Sequence, residues 1–394
     1  MASTKFATIL TCVFGVGIWL VPRPASGQAS DQGGFVTRLG TDTIAVERFS
    51  WSKNGFEGER VLRSPTTSLI RYKAKVGSDG RVTSFEAKYY SGASLDKNPN
   101  WSSRIGFEES VALMDFDSRE KGKRTSKVAI RPGAAPMLFH SYALYEHIVR
   151  QTRRTPDTRV QVEMVYPGAE GLSGTWVEPH GKDSVGIAYF HDQAAHAHID
   201  GTGRILGLEA LGTVLKVMVT RVPSLDAVAI AQAWAAKDAA GQAAGPVSPR
   251  DTVRATVGGA KMVFDYGRPS KRGRVIFGGL VPWGQVWRTG ADAATQFTTS
   301  RALTLGTVRL RAGAYTLWTK PTEQGVELII NGQTGQWGTD YDPARDVVHV
   351  PLTVRPLPQP VERFTIAVVP AGEDGELRLS WDQTEWVVPV SSRP

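Results

Sequence analysis

Alternating apolar and polar positions dominate the chain and predict β-strands. Two alternating runs, residues 68–76 and 82–90, are joined by GSDG at 77–80, and those residue types adopt the positive φ of a tight hairpin turn. A second hairpin signal, DGTG at 200–203, lies between runs at 195–199 and 204–208. Strict alternation is typical of strands with one buried and one solvated face. The first part of the chain is therefore predicted to be a curved antiparallel sheet.

One segment of this part follows a helical period instead. Leu138, Tyr142, Tyr145 and Val149 recur at steps of three and four residues, which places them on one face of a helix. We therefore predict one helix at about residues 136–153, laid on the sheet.

An alanine-rich joint divides the chain. Residues 223–247 begin with Pro223 and Ser224, a candidate N-cap, and continue with strong helix formers until Gly241 and Gly245. We predict a short helix and linker here, between an N-terminal antiparallel β domain at residues 28–222 and a C-terminal β domain at 248–394. Alternation resumes downstream and predicts about nine strands in a β-sandwich or jelly roll. The predicted fold class is therefore mainly β.

The first 27 residues are predicted to be a signal peptide. An apolar run at residues 6–21 follows Lys5, is shorter than the roughly 20 residues of a membrane span, and precedes small residues suited to cleavage after Gly27 or Ala29. We therefore expect an exported protein, periplasmic or extracellular, with no transmembrane segment after signal removal. The only cysteine, Cys12, would be lost with the signal, so the mature chain could form no disulfide.

The chain is basic, with 46 Lys and Arg against 38 Asp and Glu and a formal net charge of +8. These basic residues are scattered instead of massed in one stripe, so we expect no nucleic-acid partner. Their one notable concentration, mixed with indole rings, lies early in the C-terminal domain. The candidate ligand-binding residues there are Arg268, Arg272, Arg274, Trp283, Trp287 and Arg288.

Guanidinium groups bind carboxylate, sulfate or phosphate oxygens in pairs, and indole faces suit sugar surfaces or cations. The segment could thus hold an anionic or carbohydrate-like small molecule or glycan. The alternative is structural, with these arginines paired to Asp265 and Asp292 inside a loop-rich cap. The glycines of the segment lack the strand-to-helix setting of phosphate-binding loops, which excludes a nucleotide fingerprint.

The same segment resembles a known family. The ordered strings are DYGRP at 265–269, KRGR at 271–274, FGGLVP at 277–282, VWRTGA at 286–291, AGAYTL at 312–317 and WGTDYD at 337–342. Together, over about residues 248–370, they resemble the bacterial domain of unknown function 2911. The resemblance implies an exported bacterial β domain and no established activity. The N-terminal domain lies outside it.

A histidine group offers a second candidate site. His196, His198 and Asp200 would share one face of a strand, at a spacing that lets two imidazoles converge on a divalent metal such as zinc. His191 or His180 could complete the set. The alternative is an ordinary half-exposed strand, because the opposite face is apolar through Ala195, Ala197 and Ile199.

Three functions follow from these patterns. We expect non-catalytic binding of an anionic or carbohydrate-like ligand, without a cofactor, because no His-Glu-x-x-His helix, glycine-flanked serine nucleophile or catalytic cysteine occurs. The first alternative is a metal-assisted periplasmic hydrolase built on the histidine group. The second is a scaffold of the cell envelope with a protein partner.

Overall fold

The protein folds mainly as β-strands, which confirms the predicted fold class. The computed structural model describes residues 31–92, 95, 98–153, 159–169, 171–190 and 193–392. The predicted signal peptide lies outside these residues. None of the helices in the described part is long and apolar enough to cross a membrane.

The first sheet has fifteen strands within the described residues. They are β1 (Gln32–Leu39), β2 (Asp42–Ser52), β3 (Gly55–Leu62), β4 (Ser68–Val76), β5 (Val82–Ser91), β6 (Trp101–Phe107), β7 (Val111–Ser118), β8 (Gly122–Ala129), β9 (Ala135–Pro136), β10 (Val160–Val165), β11 (Leu172–Pro179), β12 (Ser184–Phe190), β13 (Gln193–Ile199), β14 (Ile205–Glu209) and β15 (Met218–Val222). Their order is β8-β7-β6-β5-β4-β3-β2-β1-β15-β14-β13-β12-β11-β10-β9. Antiparallel pairing of β1 with β15 joins the beginning and end of this unit, and only β9 with β10 is parallel among the described pairs.

The sheet surrounds one helix, α1 (Tyr142–Thr152). Side chains from both halves of the sheet and from α1 form a single apolar core. The helix begins later than the predicted 136 because Ala135 and Pro136 pair with Met164 and Val165 as strands β9 and β10. That pairing depends on a distant part of the chain, so the helical period alone could not reveal it.

A buried carboxylate, Glu47 on β2, caps α1 from a distance. Ser141 occupies the N-cap position but its side chain caps nothing. Glu47 instead accepts hydrogen bonds from the backbone N–H groups of Tyr142 at 2.6 Å and Ala143 at 3.0 Å. The hydroxyls of Ser141 and Tyr72 also donate to it, the latter at 2.6 Å. Burial raises the pKa of Glu47, against the effect of these hydrogen bonds.

The alanine-rich segment forms α2 (Ala227–Ala239), whose N-cap is Asp226 and not the predicted Ser224. The Asp226 carboxylate accepts from the N–H of Ala229 at 2.9 Å, a standard cap geometry. Apolar residues of α2 pack on the face of the first sheet opposite α1, where they meet Val46, Val61 and Leu69. The segment thus belongs physically to the first unit.

The second sheet has nine strands in the described residues. They are β16 (Arg250–Val257), β17 (Ala260–Gly267), β18 (Thr295–Thr299), β19 (Leu303–Leu305), β20 (Val308–Leu310), β21 (Gly313–Pro321), β22 (Val326–Asn331), β23 (Asp346–Ala371) and β24 (Asp374–Ser391), with a 3-10 helix at Pro343–Arg345. Their order is β16-β17-β18-β21-β22-β23-β24-β19-β20. Strand β23 pairs with β22 through its first part and with β24 beyond it, with register shifts between Pro356 and Thr365. All nine strands therefore contribute to one core.

The two units meet where the turn between β1 and β2 touches the loop after β17. The N–H of Thr41 donates to the carbonyl of Arg272 at 2.9 Å, and the Arg272 guanidinium pairs with Asp42. Gly40 has a φ of +62°, and a Cβ there would lie 2.1 Å from the Arg272 carbonyl oxygen. Only glycine fits this contact, so the turn fixes how the units approach each other.

Candidate functional site

A cavity of about 760 Å³ lies between the two units. This volume is within the range of small-molecule sites. The first unit supplies the end of β1 and residues 211–216 of the loop between β14 and β15. The second supplies parts of the long loop between β17 and β18, together with Trp318, Tyr341 and Trp381.

Three cations and one acid are the charged side chains that line this cavity among the described residues. Lys216 comes from the first unit, and Arg274, Arg288 and Asp292 come from the second. Three positive charges and one negative charge leave a formal excess of two positive charges in a partly enclosed space. Electrostatic potential is strong in such clefts, because low-dielectric walls focus the field.

Burial and mutual repulsion disfavour the charged forms of these cations. Burial lowers the pKa of Lys216, and the guanidinium groups of Arg288 and Arg274 lower it further. Burial also lowers the pKa of Arg288, which Asp292 partly offsets. The cavity therefore holds its positive charge at a cost to folding stability.

Two of the three cations lack a protein partner. Within the described part of the chain, neither Lys216 nor Arg288 makes a hydrogen bond or an ion pair within 4 Å. Arg274 donates from Nε to the carbonyl of Lys271 at 3.0 Å and from Nη2 to that of Ser270. Its Nη1 has no such acceptor among the described residues. N–H groups of all three cations therefore remain available to donate hydrogen bonds to a ligand or to solvent in the cavity.

A glycine makes room for Arg288. A Cβ at position 338 would lie 2.2 Å from Cδ of Arg288 and 2.4 Å from the carbonyl oxygen of Asp292. Any side chain at Gly338 would therefore displace the arginine from the cavity wall.

The other two predicted arginines serve as structural ties. Arg268 binds Asp251 at 3.1 Å and Thr365 Oγ1 at 2.8 Å, which connects the end of β17 to β16 and β23. Arg272 pairs with Asp42 across the junction of the two units. The structural alternative from the sequence thus applies to these two, although with other acids than expected.

The two predicted tryptophans also separate. Trp287 lines the cavity, stacks on Trp381 at 5.7 Å between centroids, and meets Phe364 edge-on at 5.0 Å. Trp283 lies outside the lining, 41% exposed, with its ring stacked on Phe277. Of these two tryptophans, only Trp287 is therefore placed to contact a ligand in the cavity.

Backbone strain concentrates around the cavity. Six non-glycine residues of the described chain have positive φ, and four of them are Lys216, Arg272, Thr289 and Asp292, at +50° to +61°. Each L-residue in this conformation costs roughly 1 to 2 kcal/mol. Two of the four line the cavity and two lie beside it in the chain. Such strain clusters at ligand-binding and active sites.

The sequence patterns do not point to Lys216. It is the only charged residue between Glu209 and Arg221, far along the chain from the candidate arginines, and no local spacing marks it. Only the docking of the two units brings it to Arg288.

The histidine group lies elsewhere, on the first sheet. His196 and His198 are exposed on β13, with the apolar residues between them buried as the alternation predicts. The ring of His180 lies 5.6 Å from that of His196 between centroids. His191 falls outside the described residues.

The third member, Asp200, is engaged in its own turn. Its Oδ1 accepts from the N–H and hydroxyl of Thr202 at 2.8 and 2.7 Å and from the N–H of Arg204 at 3.1 Å. Desolvation acts to raise the pKa of Asp200, but these hydrogen bonds outweigh it and lower the pKa. Among residues the structure describes, no three His, Cys, Asp or Glu side chains are grouped to hold a metal ion.

The chain has weak similarities to solved structures and a family match in its C-terminal half. The chain is similar to a solved DUF1089 family protein from Pseudomonas aeruginosa, with 9% identity over 50% of this chain and 95% of that one, at a TM-score of 0.32. It is also similar to a β-barrel-like protein of domain of unknown function DUF1849 from Brucella abortus, with 11% identity over 49% and 95%, at 0.34. No curated protein matches the chain. Residues 248–390 match the family described as "Protein of unknown function (DUF2911)", which confirms the resemblance for the C-terminal half and extends to no part of the N-terminal one.

Proposed function

We propose that this protein binds an anionic small molecule, without catalysis, in the cavity between its two units. One observation carries the proposal: Lys216 and Arg288, from different units, line the same cavity and make no hydrogen bond or close ion pair within the described residues. Both groups are partly buried, and a partly buried charge is stabilised when an opposite charge replaces the hydration that it loses. A bound anion supplies the missing acceptors.

The neighbouring rings favour an organic ligand over a bare ion. Trp287 forms part of the wall, held in place by Trp381 and Phe364. A ring or apolar body on the ligand would contact this indole while its anionic group meets Arg288. Because the sequence predicts export, we propose that binding takes place outside the cytoplasm.

Thermal denaturation with a ligand panel tests the proposal. The panel holds phosphate, sulfate, carboxylate amphiphiles and neutral glycosides at constant ionic strength. A ligand at 100 times its Kd stabilises the folded state by about 2.7 kcal/mol. We expect anions to raise the Tm of the wild type by several degrees.

Two variants localise the effect. Arg288→Gln should abolish the anion-induced shift, while Arg309→Gln, a change of the same charge on the exposed face of β20, should preserve it. The proposal fails if no panel member shifts the wild type, or if Arg288→Gln responds as the wild type does.

A further inference from the structure

We infer that the ligand of this cavity carries a dianionic head, such as a phosphate monoester, on an apolar or ring-bearing body. The inference rests on the proposed function and names the ligand class of the same site. Charge balance, donor supply and wall chemistry each support it.

The charge of the cavity lining favours a ligand head group with two negative charges. Lys216, Arg274 and Arg288 face a single acid, Asp292, so the lining carries a formal excess of two positive charges. A sulfate ester or a carboxylate would leave one of these uncompensated in a partly desolvated space. A phosphate monoester carries about −1.5 to −2 near pH 7, which neutralises the excess.

The supply of donors matches a phosphate group. All five N–H groups of Arg288 and the three of Lys216 lack acceptors among the described residues, and Arg274 keeps Nη1. Guanidinium forks bind phosphate oxygens in pairs, and a lysine ammonium adds a compact charge. Three cations thus line the cavity, and a phosphate monoester presents three terminal oxygens that could accept from them.

The walls require more than an inorganic ion. Apolar side chains line the cavity from both units, including Leu39 and Leu215 from the first and Leu280, Val286 and Trp287 from the second. A water molecule takes about 30 Å³ in the liquid. In a cavity of about 760 Å³, a free phosphate would leave most of the space to water against apolar surface.

The two units would both hold such a ligand. Lys216 belongs to the first unit and the arginines to the second, so a head group bound by all three bridges the junction that Gly40 and Arg272 form. Removing either contribution should therefore weaken binding of the same head group.

Matched amphiphiles test the ligand class by isothermal titration calorimetry. At pH 8, hexyl phosphate is a dianion and hexyl sulfate is a monoanion with the same chain and nearly the same oxygen geometry. We expect hexyl phosphate to bind at least about tenfold more tightly than hexyl sulfate. Inorganic phosphate should bind at least about tenfold more weakly than hexyl phosphate, because it buries no apolar surface. Hexyl glucoside, which is neutral, should show no binding.

Variants then assign the discrimination to Lys216. Lys216→Gln should weaken hexyl phosphate binding by about tenfold or more and reduce its advantage over hexyl sulfate. Arg309→Gln should bind both ligands as the wild type does. Circular dichroism confirms that each variant is folded before titration.

The outcomes separate this inference from the proposed function. Equal affinity for hexyl phosphate and hexyl sulfate, with both lost in Arg288→Gln, would overturn the dianion while leaving an anion-binding cavity. Inorganic phosphate binding as well as hexyl phosphate would overturn the apolar body. If no anion binds to the wild type, or if Arg288→Gln binds hexyl phosphate as the wild type does, both the proposed function and this inference are wrong.

Discussion

Removing the Glu47 side chain should destabilise the first unit far more than removing the N-cap side chain of α1. The carboxylate accepts four hydrogen bonds inside the core, two of them from the backbone N–H groups of Tyr142 and Ala143. Ser141, at the N-cap position, provides no cap of its own and only donates to Glu47.

The magnitude follows from which donors can find another partner. In Glu47→Ala the hydroxyls of Tyr72 and Ser141 can rotate, but the two backbone N–H groups stay fixed at the helix start. Each buried, unsatisfied donor costs about 1 to 3 kcal/mol, so the loss should be about 2 to 6 kcal/mol. Ser141→Ala removes one donor and should cost about 1 kcal/mol.

Hydrogen exchange during guanidinium unfolding measures both effects in the full chain. Following peptides of α1 and of β2 separates the first unit from the second, since two units need not unfold together. The amides of Tyr142 and Ala143 should lose protection in Glu47→Ala and keep most of it in Ser141→Ala. Equal destabilisation by the two variants, or unchanged protection in Glu47→Ala, would refute the assignment of the cap to Glu47.

Three further predictions concern the junction, the cavity and a half-buried histidine. Gly40→Ala places a Cβ 2.1 Å from a carbonyl of the second unit and should expose the junction to limited proteolysis, whereas Gly122→Ala, also at positive φ but with nothing within 4 Å, should not. Lys216→Gln should raise the ligand-free Tm near neutral pH, because burial and the nearby guanidinium groups lower the pKa of this lysine and so make its charged form unfavourable in the fold. Burial and Arg60 lower the pKa of His140 from 6.5 to about 4. The folding stability that the neutral imidazole contributes is therefore complete above pH 6.5 and is lost as the pH falls from there to about 4. In urea unfolding, the free energy of unfolding should fall less between pH 7 and about 4 in His140→Asn than in the wild type. Asparagine suits this position because it tolerates the positive φ of His140.

Several strands could be predicted from the sequence because the alternation of buried and exposed side chains depends on neighbouring residues of the same strand. Strand β4 (Ser68–Val76) has the predicted bounds, and the alternation at β13 separates buried from exposed side chains as expected. The start of α1 could not be predicted this way, since residues 135–136 pair with β10. The cap of α1 is equally non-local, because Glu47 is 94 positions away from Ser141.

The candidate site also has a part that the sequence predicts and a part that depends on tertiary contacts. Clustering of arginine and tryptophan in one segment pointed to Arg274, Trp287 and Arg288, which line the cavity. It could not separate them from Arg268 and Arg272, because the acids that engage those two lie on other strands. Whether a guanidinium group is free or paired depends on tertiary contacts that residue spacing along the chain does not encode.

The cavity combines two features that lower folding stability, cations without close protein partners and strained backbone. Glu47, Arg268 and Arg272 make hydrogen bonds or ion pairs with protein groups. Lys216 and Arg288 make none among the described residues, and each disfavours the charge of the other, although Asp292 partly offsets the effect at Arg288. Among the residues that the structure describes, four of the six non-glycine residues with positive φ lie in or beside the same cavity. Both features reduce the stability of the ligand-free protein. The unpaired cations are not needed to join the units, since the Gly40 turn and Arg272 already do so. Residues that lower folding stability without a structural role are typical of binding sites, which supports the proposed function. The opposite signs expected for Lys216→Gln, greater stability with weaker anion binding, follow from that argument.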